Sequence, residues 1–261
     1  MYAKNALGKR SVQFEQPVRI AGFASSAGTV ESQGPLARWF DRTLTDDMDG
    51  AESWEKAESS LLGETVQTAL EKANIDKKEL GVLMGGDLLN QIIATNYAAR
   101  QLEASFLGLY NACSTMSEAL LIGSMLVSSG YYSSAACVSS SHFCSAERQY
   151  RFPLEYGNQR APSCQRTVTG AGCTLLVSRP SPGLPLLLTH GTTGRVVDYE
   201  ITDISNMGAA MAPADVKYGL YISFAELITG FNRLNRQTLR QRSGRHRFVW
   251  IPRHERAPLR A

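Results

Sequence analysis

In Phe106-Leu107-Gly108-Leu109-Tyr110-Asn111-Ala112-Cys113-Ser114-Thr115 an apolar run, Phe106 to Tyr110, leads into a cysteine, Cys113. An apolar segment follows it to about Val127. The pattern reads as a buried strand, a sharp corner and a helix, with Ser114 or Thr115 as N-cap. A thiol in the first turn of a helix feels the positive end of the helix and its free N–H groups. Both favour thiolate, the form that attacks carbonyls. The competing reading is a small buried residue, the usual fate of a free cysteine.

Outward from this corner, strand and helix patterns alternate. Val12 to Ala21 reads as a strand and Ser25 to Asp49 as loop. Ser53 to Ala73 reads as a helix with the apolar stripe Leu61, Leu62, Val66, Ala69 and Leu70. Leu80–Gly85 is a short strand closed by Gly85-Gly86-Asp87, and Gln91–Leu102 a second helix. Ala104–Tyr110 leads into the cysteine corner, and Ser114–Val127 is a third helix, apolar nearly all round. It is expected to lie between two layers. Ala135–Ser140 is a further strand, followed by a polar loop carrying His142, Glu147, Arg148, Arg151 and Glu155. Thr169–Val177 and Leu186–His190 complete the strands. Continuous apolar strands alternating with helices predict a layered α/β fold with a mainly parallel sheet covered on both faces.

Ligands of such sheets sit at the carboxyl ends of strands. Asp87, Cys113 and His142 each follow directly on a predicted strand end. Asp87 reads as a cap of the next helix or as a carboxylate lining a pocket. His142 reads as a surface residue or a ligand. Glu147-Arg148-Gln149-Tyr150-Arg151 reads as a salt-bridge network or a carboxylate clamp. Thr169-Gly170-Ala171-Gly172-Cys173 suits close backbone packing better than phosphate binding.

The 261 residues are 43% hydrophobic and 20% charged, which describes an ordinary globular chain. No apolar run is long enough for a transmembrane helix, and Met1–Gln16 lacks the apolar core of a secretory signal. Five cysteines (113, 137, 144, 164 and 173) without a CxxC pair favour free thiols over disulfides or zinc. From Arg233 to Ala261 there are nine arginines, no lysine and one acid, Glu255. That tail lacks helical or strand patterning, and composition breaks near Ala214. It reads as a shifted frame or foreign terminus, not as a nucleic-acid arm.

Several segments together resemble a known family: Gly34-Pro35-Leu36, Gly86-Asp87-Leu88-Leu89-Asn90-Gln91, Ala112-Cys113-Ser114-Thr115, Ser140-Ser141-His142, Ala146-Glu147-Arg148-Gln149, Thr167-Val168-Thr169-Gly170 and Met207-Gly208-Ala209-Ala210-Met211-Ala212-Pro213-Ala214. They look like the stage V sporulation protein AD family, from about Lys9 to Ala214. The resemblance implies a thiolase-like fold, similar to ketoacyl-ACP synthases. Residues 1–214 would form the N-terminal half, and 215–261 a non-matching, poorly packed tail in place of a second half.

By resemblance the function is binding of dipicolinic acid, free or as its calcium chelate, within the spore's dipicolinate transport complex. Partners would be other stage V sporulation proteins of the membrane channel. A homodimer is compatible, nucleic acid is not expected, and the location would be peripheral at the spore inner membrane. Cys113 matches the nucleophile position of thiolases, and Asp87 and Cys113 match positions associated with the ligand pocket. His142 joins them only through its strand-end location. The alternative is a condensing acyltransferase using Cys113. Its second-half histidines have no counterpart here, since His246 and His254 lie in the arginine-rich tail. No cofactor and no metal site are expected.

Overall fold

A computed structural model describes residues 4–150, 166–178, 186–194, 200 and 221–226, with Tyr150 and the last segment described by backbone alone. All of them lie in the first of the chain's two compact units, Met1–Leu227. Arg151, Glu155, Cys164, the Met207–Ala214 motif, His246, His254 and the arginine-rich tail lie outside the described residues.

The strands are β1 (Ala6–Leu7), β2 (Ser11–Ala27), β3 (Arg42–Thr43), β4 (Val82–Gly86), β5 (Phe106–Gly108), β6 (Ser134–Ser141), β7 (Gly170–Val177), β8 (Leu186–Thr192) and β9 (Tyr221–Glu226). The helices are α1 (Trp54–Ala73), α2 (Ile93–Leu102), α3 (Thr115–Ser128) and α4 (Phe143–Tyr150). One sheet runs β5-β4-β6-β7-β2-β8-β9, with β1 and β3 attached to β2.

The sheet is mixed, which corrects the expectation of a mainly parallel one. Only β5–β4 and β4–β6 are parallel along the main order, joined through α2 and α3. The pairs β6–β7, β7–β2, β2–β8 and β8–β9 are antiparallel. The apolar runs that suggested parallel strands reflect burial on two faces, whatever the strand direction. Leu83, Ala136, Val138, Leu175 and Val177 point to the layer of α1 and α2. Their neighbours Val82, Met84, Ala135, Cys137 and Leu176 point to the layer of α3. Period-2 alternation thus fills both cores.

Helix α1 begins where its cap chemistry places it, with Ser53 Oγ accepting from Lys56 N at 3.2 Å. It ends at Asn74, a left-handed cap residue with φ 52°. Its stripe Leu61, Leu62, Val66, Ala69 and Leu70 is buried throughout. In α3 no residue is fully exposed, and Gly123 lets the helix backbone lie against Cys137, Met84 and Leu176. Ile122 and Leu126 are half-buried against that core.

Three local readings change. β2 continues to Ala27, and 3-10 turns and the short β3 occupy part of the expected loop 25–49. The polar loop expected after β6 is helix α4, whose inward face carries Ala146 and Glu147. Finally, β9 lies beyond Ala214 and pairs with β8.

Candidate functional site

Strands β5, β4 and β6 are adjacent and parallel, and their carboxyl ends lead to Cys113, Asp87 and His142. The three expected residues therefore share one end of the sheet. The strand ends are held by close backbone approach. Leu109 N donates to Gly85 O at 2.8 Å. Gly85 has φ 150° and abuts the Val138 carbonyl, while Gly86 abuts that of Leu109. A side chain at either glycine would strike backbone, so the Gly-Gly pair is required by the packing of three strands.

Cys113 lies within a 3-10 turn, Ala112–Ser114, and not in the first turn of α3. Ala112 has φ 43°, an unusual conformation for a residue with a side chain. Ser114 occupies the N-cap position but makes no side-chain cap. Its hydroxyl donates to Asn111 O at 2.9 Å, and Asn111 N donates to Thr115 Oγ1 at 3.2 Å. The corner thus presents an exposed thiol. Cys137 and Cys173 are buried in the core, and burial pushes both thiols well up in pKa. Cys144 is half-buried and also raised, chiefly by burial.

Asp87 is 2% exposed and accepts three hydrogen bonds. Leu89 N reaches Oδ1 at 2.8 Å, while Thr95 N and Thr95 Oγ1 reach Oδ2 at 2.7 and 2.6 Å. Burial raises its pKa, and the Thr95 and Leu89 bonds oppose the rise. Thr95 is the third residue of α2, so Asp87 caps that helix from several residues upstream. The intervening chain is strained. Gln91 and Ile92 take left-handed φ of 59° and 48°, costly for β-branched isoleucine. Asn96 Nδ2 steadies them, donating to Gln91 O at 2.8 Å and Ile92 O at 3.0 Å. Gln149 of α4 accepts from Asn90 N at 3.1 Å.

His142 is fully buried, not a surface residue. Its Nδ1 accepts from Cys144 N at 3.2 Å, which leaves Nε2 to donate to Asp47 O at 2.9 Å. Both ring nitrogens are taken by backbone, so no lone pair is left for a ligand. The position at the strand end is as expected, but the ring ties loop 46–49 to the start of α4. Glu147 is buried and accepts from Thr167 N at 2.8 Å, while Arg148 pairs with Glu55 of α1. Those two residues fasten α4 to its surroundings. Gly170-Ala171-Gly172 lies within β7, packed against β2 and β6, and forms no phosphate loop.

Sequence reading overlooked Thr95 and Glu58. Glu58 is fully buried on α1, with burial first and Asp87 second pushing its pKa up to about 8. The available signal was its position, one turn before Leu61 and Leu62 on the apolar stripe. A cavity of about 210 Å³ lies between α1 and α2, lined by Ser60, Gly63, Gln67 and Gln101, and shares no residue with the strand-end set. Among the described residues no cluster of three metal-ligating side chains occurs. What the strand end offers chemically is one exposed thiol, the N–H groups that open α3, and a buried carboxylate with a lone pair of Oδ1 to spare.

Comparison with known proteins agrees with this architecture. Residues 8–227 match the family model described as Stage V sporulation protein AD, which extends past Ala214 to take in β9. The stage V sporulation protein AD of Bacillus subtilis (strain 168) is 41% identical over 207 residues, covering 79% of this chain. The chain spans 60% of that relative's length. Among solved structures, a cerulenin-bound variant of OleA from Xanthomonas campestris superposes with a TM-score of 0.51 at 15% identity, covering 79% of this chain and 72% of that one. A second OleA variant gives 0.50 at 16% identity, covering 79% and 70%. At that identity the likeness shows the fold alone, a thiolase-like layered α/β arrangement.

Proposed function

The chain belongs to the stage V sporulation protein AD family, whose role is in sporulation, and on that premise we propose that it contributes a binding site for dipicolinic acid. The observation that carries this reading is the convergence of Asp87 and Cys113, both within family motifs, at the ends of adjacent strands β4 and β5. The N–H groups at the start of α3 supply donors for one carboxylate of a planar dicarboxylate. Asp87 fixes the chain that follows β4 at that end of the sheet, through Leu89 N and Thr95. The complex in which it works is the family's membrane channel, with the chain lying peripherally at the spore inner membrane. Among the described residues no helix is long and apolar enough to cross a membrane.

A homodimer belongs to the same reading. Among the described residues β5 ends the sheet, and Leu107, Tyr110, Ile93 and Tyr97 around it are 40–58% exposed. An apolar sheet edge of that kind invites a second copy.

The other reading, acyl transfer through Cys113, has the exposed thiol in its favour. Among the described residues, His142 at the same sheet end has both nitrogens in backbone hydrogen bonds and supplies it no base. Binding therefore stands ahead of catalysis.

Isothermal titration of the chain with calcium dipicolinate tests the proposal. The expected result is saturable binding that Asp87→Asn and Cys113→Ser each weaken, by about tenfold or more for loss of one charge-assisted contact. Equal binding by wild type and both variants would place the ligand elsewhere. No binding by any of them would remove the proposal for this chain.

A further inference from the structure

Glu58 is a fully buried carboxyl that the proposed site does not use. Its carboxyl joins three elements. It stands on α1, Oε1 meets Ser140 Oγ of β6 at 2.9 Å, and Oε2 meets Ser145 Oγ of α4 at 3.3 Å. Ser145 Oγ also lies 3.2 Å from His142 O. A serine hydroxyl has one proton, and here it faces two acceptors. A proton on Oε2 resolves the count. With that proton Glu58 would donate to Ser145, Ser145 to the His142 carbonyl, and Ser140 to Oε1.

The surroundings favour the same form. Among the described residues no cationic side chain pairs with Glu58. The charges that bear on it are acidic, Asp87 at the end of β4 and Glu55 on its own helix. Arg148 of α4 is paired with Glu55. Of the other titratable groups of that corner, Glu147 takes the N–H of Thr167, and both ring nitrogens of His142 are engaged by backbone, Asp47 O and Cys144 N. An unpaired buried carboxylate beside another acid is far costlier than the neutral acid.

We propose that Glu58 keeps its proton in the folded protein at neutral pH, and that this neutral carboxyl is the latch joining α1 to the β6–α4 corner, opened by alkaline ionisation. Burial pushes its pKa up to about 8, against an ordinary glutamate value of 4.5. A raised folded pKa stabilises fully below 4.5, and that contribution fades as pH rises toward about 8. Because α4 also holds Gln149 against Asn90, opening the corner loosens the loop that follows Asp87.

The test compares wild type with Glu58→Gln, whose amide reproduces the donor and acceptor of the neutral acid. Unfolding constants are measured from pH 5 to 9, and amide hydrogen exchange of residues 143–149 from pH 7 to 9. The wild-type folding constant should fall relative to the variant by up to tenfold per pH unit until about pH 8. Corrected exchange in α4 should accelerate above pH 7 in wild type only. Parallel stability curves for the two proteins would overturn the latch. Should Glu58→Gln fail to fold, carbon NMR of the wild-type glutamate carboxyls decides: one signal still in the acid form at pH 7 supports the proposal, and its absence overturns it. None of these readouts involves ligand, so failure of the dipicolinate reading is distinguishable from failure of this one.

Discussion

Thr95 binds Asp87 twice through a single oxygen, Oδ2, by its backbone N–H at 2.7 Å and its hydroxyl at 2.6 Å. Side chain and helix N-terminus thus share one carboxylate, and the end of β4 is fixed to the start of α2. Thr95→Val keeps the shape and removes one charge-assisted bond from a buried acid. The expected loss is about 1.5–3 kcal/mol of stability at neutral pH. Asp87 already has a pKa raised above 3.8 by burial, and losing the hydroxyl raises it further. A raised pKa stabilises below the unfolded value and is lost with rising pH. The deficit of Thr95→Val should therefore shrink as pH falls toward 4. Chemical denaturation at pH 7 and pH 4 measures it, and an equal deficit at both pH values would contradict this account.

Gly86 faces the Leu109 carbonyl so closely that no Cβ fits between them. Gly86→Ala must push β5 away from β4, and with it the turn that carries Cys113. Overpacking of this kind costs about 1–3 kcal/mol. A drop in melting temperature with altered Cys113 labelling is expected. Gly63→Ala serves as control, because its neighbourhood is open apart from Gln101. Equal melting temperatures for Gly86→Ala and wild type would show that the strands yield more readily than the packing indicates.

The layered α/β class, the extent of α1 and the strand-end placement of Asp87, Cys113 and His142 were legible in the sequence. Hydrophobic period and cap residues encode them locally. Strand direction was not, because Leu175-Leu176-Val177 is buried on both faces in an antiparallel strand just as it would be in a parallel one. His142 was misread because its partners are backbone groups, Asp47 O and Cys144 N, which leave no trace in residue type. Glu58 was overlooked because a glutamate on a helix is usually solvated. Its place one turn before Leu61 and Leu62 was the one local signal, and its partners Ser140 and Ser145 lie more than eighty residues away.

Thiol reactivity should follow exposure. Cys113 is exposed, whereas Cys137 and Cys173 are 0% and 1% exposed with pKa values raised by burial. Thiolate is the reacting form, so both terms favour Cys113. Limiting iodoacetamide at pH 7.5, a value chosen near neutrality where ordinary thiols are only about a tenth ionised, followed by peptide mapping, should label Cys113 before Cys144 and well before the core pair. Earlier labelling of Cys144 would mean that the corner at Ala112–Ser114 shields its thiol.

The edge of the sheet makes the last prediction. Among the described residues β5 pairs with β4 alone, and its Leu107 is 41% exposed, with Tyr110 at 58%. Two copies related by a two-fold axis can pair these edges and cover the same side chains at once. Light scattering over a concentration series should give twice the chain mass of 28.5 kDa for wild type. Leu107→Arg should return the monomer, because two like charges would face each other across the axis. Its circular dichroism should match wild type, since Leu107 is an exposed edge position. A wild type that stays monomeric, or a Leu107→Arg variant that still dimerises, would assign the β5 edge to something other than a second copy.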